Sequence, residues 1–91
     1  GNTAAALTQL KRAADQETAG SRHRYVYAIA LHDTGRPAAA IKLLERLNNS
    51  LPGNPDVLSA LISYSRAQGD SQKASRYQSQ LSRVLQTAGL R

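Results

Sequence analysis

The side chains that could carry chemistry are few, and their spacing works against them. His23 and His32 stand nine residues apart. On one helix that separation turns the chain through about 900°, or two and a half turns, so the two imidazoles face opposite ways. A helical metal site needs ligands three or four residues apart on one face, and no cysteine is present to complete one. The six carboxylates are scattered, and Asp15 and Glu17 fall on different faces of a helix end. No pair of acids is therefore expected to converge for general acid–base work. Hydroxyls are plentiful, but no Gly-x-Ser-x-Gly turn presents one as a nucleophile. Gly35-Arg36-Pro37 lacks the glycine density and the Lys-Ser/Thr ending of a phosphate loop. The reading is a non-enzyme with no metal and no cofactor.

Charge suggests a surface instead. The net charge is +6. Residues 1–34 and 35–70 each carry four basic and three acidic side chains, whereas 71–91 carry Lys73, Arg76, Arg83 and Arg91 with no acid. Lys73, Arg76 and Arg83 fall on one side of a helix, near Gln72 and Gln80. Such a basic face could attract acidic partners or nucleic acid. No aromatic is interleaved on that side for base stacking, because Tyr77 points to the core stripe, and this weighs against nucleic acid. Absence of any apolar run near ~20 residues argues against membrane insertion. The compartment stays open between cytoplasm and periplasm.

The elements that hold this surface are helices. Ala and Leu dominate the apolar residues, while isoleucine and valine number three each, a balance that favours helix over strand. Glycine- and proline-containing breaks at 20–21, 34–35, 51–55 and 68–70 leave five segments. Residues 3–17 carry Leu7, Leu10, Ala13 and Ala14 on one face, and 22–34 carry Tyr27, Ala28 and Leu31. Residues 37–50 carry Ala40, Ile41, Leu44 and Leu47. Residues 56–68 carry Leu58, Leu61, Ile62 and Ser65, and 71–87 carry Ala74, Tyr77, Leu81, Val84 and Leu85. Spacings of three and four recur throughout, as an amphipathic helix requires. Pro37 suits a first helical turn. Asn54 or Asp56 can cap the fourth helix, and Asp70 or Ser71 the fifth. Gly35 and Gly69 suit tight turns between helices.

The chain superposes on itself when Gly35 is laid on Gly69. Leu47 then falls on Leu81, Tyr27 on Leu61 and Ala28 on Ile62. Ala6, Ala40 and Ala74 align, and a small residue at that point lets the second helix of a pair approach the first closely. A period of about 34 residues is that of a helix–turn–helix repeat. One unit reads Arg24, Tyr27-Ala28, Leu31, Ala40, Leu44 and Pro52. The next reads Leu58, Leu61-Ile62, Ser65, Ala74, Gln78 and Gln86, and Ala6, Leu10 and Ala13 end an earlier one. On these residues the chain resembles the tetratricopeptide repeat family over nearly its whole length. Arg24, Ser65, Gln78 and Gln86 depart from that pattern, and the second unit is degenerate at its far end, as a terminal repeat would be.

The resemblance implies an all-α superhelix of stacked antiparallel hairpins, a single domain over 1–91. Residues 3–17 would be the second helix of a preceding repeat, with repeats at 21–54 and 55–88, the latter terminal. It implies a protein–protein interaction scaffold that binds a peptide or protein in a concave groove lined by the first helix of each pair. The groove residues would be Arg22, Tyr25, Ile29 and His32, followed by Ser59, Ser63 and Arg66. Tyr25 and Ile29, four apart, would make an apolar spot beside Arg22; alternatively, Tyr25 packs on a preceding helix. The Lys and Asn with which some members grip a peptide's C-terminal carboxylate are replaced by Tyr25 and Ile29, and again by Ser59 and Ser63. That clamp is therefore not expected. More loosely, the Arg24–Asp70 stretch is similar to repeat regions of large bacterial proteins, some with multihaem segments, although no Cys-x-x-Cys-His motif occurs here. The chain thus reads as a fragment of a larger bacterial repeat protein, and a structural or self-association module is the alternative role. Leu7 and Leu10 at one end, and Leu81, Val84 and Leu85 at the other, are expected to leave apolar surface open and to promote weak dimerisation.

Overall fold

Five helices follow one another in the computed structural model, which describes residues 3–15 and 20–89. They are α1 (Thr3–Asp15), α2 (Ser21–Asp33), α3 (Pro37–Ser50), α4 (Pro55–Ala67) and α5 (Ser71–Gly89). No strand occurs among the described residues. The boundaries expected from periodicity lie within two residues of these for α2 to α5. The expected end of α1 at residue 17 lies outside the described residues. Helix α2 packs along α3 and α4 along α5, while α1 lies against α2 and α3 against α4. The fold is therefore an all-α array of helical hairpins.

Two helix ends show how local sequence closes the hairpins. After α2, Gly35 adopts φ +87°. Its N–H donates to the His32 carbonyl at 3.1 Å, and the Arg36 N–H donates to Leu31 at 2.8 Å. After α4, Gly69 adopts φ +79°. There the Gly69 N–H donates to Arg66 at 3.0 Å and the Asp70 N–H to Ser65 at 2.9 Å. Each is a Schellman closure, in which a left-handed residue turns the chain back over its last carbonyls. Its recurrence one repeat later gives both hairpins the same turn. The starts are capped as well. Asn54 Oδ1 accepts from the N–H groups of Asp56 at 2.9 Å and Val57 at 3.3 Å. Asp70 Oδ1 accepts from the Lys73 N–H at 3.0 Å. Asn54 and Asp70 are thus the caps, not Asp56 or Ser71.

The core runs through α2 to α5. Ala28, Ile41, Leu44, Leu47, Leu58, Leu61 and Ile62 are buried together with Tyr77. Ala40 is fully buried and Ala74 nearly so, the close approach that small residues permit between paired helices. Ala6, the third member of that aligned set, is exposed. Ala40 and Ala74 are covered by α2 and α4, the first helices of their own pairs; no described helix stands in that place to cover Ala6. Leu7 and Leu10 are half-buried for the same reason. Tyr27, expected in the core, is also half-buried, because it borders a cavity between α1 and α3. On α5, Leu81 and Val84 pack against the core edge, whereas Leu85 is 56% exposed.

Candidate partner-binding groove

One flank of α2, beside its core stripe, carries Arg22, Tyr25 and Ile29, with His32 at its margin. On α4 the corresponding side carries Ser59, Ser63 and Arg66. The structure separates these seven residues into two kinds. Arg22, Ser59, Ser63 and Arg66 are exposed. Tyr25, Ile29 and His32 are half-buried, and Tyr25 and Ile29 pack against the core cluster. Tyr25 therefore has a structural share as well as an exposed edge.

A residue that sequence reasoning did not nominate joins the two helices. The ring of Tyr64 on α4 lies on the ring of His32 on α2, with centroids 3.6 Å apart and planes within 2°. One face of each ring is covered by the other. Burial raises the Tyr64 pKa above its ordinary value, and the charges of Asp33 and Tyr25 add to the rise in that order. An ionised Tyr64 phenol would be repelled by those charges. The signal available in the sequence was angular. Tyr64 lies about 100° round the helix from Ser63 and about 60° from Leu61, between the groove side and the core side. An aromatic at such a margin packs sideways onto the neighbouring helix.

The arrangement is an aromatic ledge with charged ends. Tyr25 and Ile29 supply apolar area, and the His32–Tyr64 stack stiffens it. Arg22 and Arg66 are exposed on the same two helices, and the carboxylate of Asp33 is near His32, with His32 Nδ1 3.7 Å from Asp33 Oδ1. Large, rigid aromatic surfaces flanked by arginine are what protein partners use as anchors. No group of three or more His, Cys, Asp or Glu side chains able to hold a metal occurs among the described residues.

The basic side of α5 is less uniform than its sequence suggests. Lys73 Nζ lies 3.3 Å from Glu45 Oε2, so its charge is matched by a carboxylate on α3. Arg76 and Arg83 are exposed. The same Glu45 oxygen accepts the Tyr77 hydroxyl hydrogen at 2.9 Å. Beside them Asn48 Nδ2 donates to Gln80 Oε1 at 3.1 Å. This face of α5 is partly engaged in tying α5 to α3. No described helix is long and apolar enough to cross a membrane.

Comparison with known proteins agrees with this architecture. No curated protein and no solved structure matches the chain. A family model of the tetratricopeptide repeat matches residues 1–63, from α1 through most of α4, and leaves α5 beyond it. With that match spanning over half of the chain, and paired helices closed by the same turn at Gly35 and Gly69, the chain belongs to the tetratricopeptide repeat family.

Proposed function

We propose that this chain is a scaffold that binds a peptide or protein segment along the α2–α4 face. Repeats of this family are in general protein–protein interaction modules. The observation that carries the reading here is the His32–Tyr64 stack. It joins the first helices of two successive pairs into one surface and sets a rigid aromatic ledge beside Tyr25 and Ile29. A partner that lays an apolar side chain on this ledge would meet little loss of side-chain freedom in the scaffold. Arg22 and Arg66 favour acidic groups flanking that side chain. Ser59 and Ser63 offer hydroxyls to the partner's backbone. No step of catalysis is assigned to any of these residues.

The test is selection of binding peptides on the whole chain, followed by amide-shift mapping. Shifts should cluster at Arg22, Tyr25, Ile29, His32, Ser59, Ser63, Tyr64 and Arg66. Changes confined to Lys73, Arg76 and Arg83 would overturn the groove reading and transfer binding to the basic side of α5.

A second reading rests on a separate observation. Leu85 is largely exposed beside Leu81 and Val84. An apolar strip of this kind on the last helix favours self-association of the chain.

A further inference from the structure

The seam between α1 and α3 differs in charge from the seam between α3 and α5, and the difference makes the cavity in the earlier seam strongly cationic. In the later seam, Glu45 is matched by Lys73 and Tyr77, and Asn48 by Gln80. One repeat earlier, Glu45 becomes Lys11 and Asn48 becomes Ala14; Lys73 becomes Ala39, Tyr77 becomes Leu43 and Gln80 becomes Arg46. The acid is replaced by a base, and two longer side chains, Asn48 and Lys73, become the methyl groups of Ala14 and Ala39. Lys11 and Arg46 cannot neutralise one another. Where the later pair places the fully buried Leu58, the earlier one has Arg24.

A cavity of about 520 Å³ lies in this earlier seam, on the side of α2 turned away from Tyr25 and Ile29. A cavity of about 480 Å³ lined by Asn48, Leu58 and Gln80 lies in the later seam, so the two differ in charge and not in the presence of space. Lys11, Arg24, Lys42 and Arg46 all line the earlier one. Arg24 Nε donates to the Ala14 carbonyl at 3.3 Å, which holds its guanidinium at the wall. Leu31, Leu43 and Leu47 supply an apolar floor. The volume falls within the range of small-molecule sites, roughly 300–1,000 Å³. Four like charges around one volume repel each other, and an anion placed among them relieves that repulsion. Arginine and lysine together suit phosphate: the guanidinium binds it through two parallel hydrogen bonds, and the ammonium acts as a point charge.

We propose that this cavity binds a phosphate monoester carrying a small apolar body. The phosphate lies among Arg24, Lys42, Arg46 and Lys11, and the apolar body rests on the leucines. This site is separate from the partner groove and does not depend on it.

The experiment titrates the isotope-labelled whole chain with phenyl phosphate and, separately, with inorganic phosphate, at constant ionic strength. Phenyl phosphate should give saturable shifts at Arg24, Tyr27, Leu43 and Arg46, and should bind more tightly than inorganic phosphate because the floor takes the ring. The double variant Lys42→Gln/Arg46→Gln alters two exposed side chains of α3. It should keep the helical circular dichroism and lose more than about tenfold in affinity. Vesicles of phosphatidylcholine with phosphatidic acid distinguish the source of the phosphate. Retention on them that the double variant abolishes gives a lipid headgroup; binding of phenyl phosphate without retention gives a free ligand. Either result upholds the site. Shifts spread equally over Arg76 and Arg83, or an affinity unchanged in a folded double variant, would overturn it.

Discussion

The Tyr77 hydroxyl donates to Glu45 Oε2 at 2.9 Å, from α5 across to α3. The tyrosine is buried, and Glu45 holds Lys73 on the same oxygen. Burial, then the hydrogen bond to Glu45 and its negative charge, push the Tyr77 pKa up to about 12, while Arg76 opposes the rise. Because the folded pKa lies above the unfolded value, the contribution is complete below about pH 10. It is lost as pH rises from about 10 to about 12. Chemical unfolding measured through that window should show falling stability, and Tyr77→Phe should flatten that fall. At neutral pH the same variant should cost about 1 kcal/mol. An identical pH slope in the two proteins would remove Tyr77 from the account.

Ser65 is fully buried, and its Oγ has no hydrogen-bond partner among the described residues. Leu31 occupies the equivalent place in the preceding repeat. Replacing the hydroxyl by hydrogen removes an unsatisfied polar group at little cost in volume. Ser65→Ala should therefore stabilise the chain by about 1 kcal/mol, read from urea unfolding. A loss of stability would show that the hydroxyl is satisfied in solution.

Ala40 has no exposed surface, and the α2–α3 pair closes over it. Ala40→Leu should overpack that contact and cost about 1–3 kcal/mol. Ala6→Leu, at the aligned but exposed position on α1, should change stability by less than about 0.5 kcal/mol. Equal thermal shifts for the two would contradict the packing described here.

Gly35 and Gly69 have positive φ, and a Cβ on either would meet no atom within 4 Å. Substitution by alanine there introduces backbone strain without a clash. Each single variant should lose about 1 kcal/mol. The double variant should lose their sum, because the two turns close different hairpins. Thermal melts of the three proteins check both statements.

Leu85 stands 56% exposed at the open side of α5. Weak dimerisation at high concentration is the expected outcome, and Leu85→Gln should reduce it. Sedimentation over a wide concentration range measures both. Strictly monomeric behaviour of the unmodified chain would mean that this strip does not drive association.

The sequence by itself determined the elements and their closure. Apolar residues three and four apart placed each core stripe, and glycine at 35 and 69 with cap candidates at 54 or 56 and at 70 or 71 marked the ends. These are short-range effects: a helix turn, a cap or a left-handed residue depends on neighbours within about five positions. The repeat period then implied equivalent hairpins, and so the family. What lies between non-adjacent helices was decided only by the tertiary structure. The pairing of Glu45 with Lys73 and Tyr77, the face-to-face approach of His32 and Tyr64, and the cavity that gathers Lys11, Arg24, Lys42 and Arg46 each join residues of separate helices. Periodicity says which side of a helix a residue occupies. The neighbouring helix sets how close that side comes and which charge it meets, and that distance and charge settle whether a basic residue is matched, as Lys73 is, or opens onto a cavity, as Arg46 does.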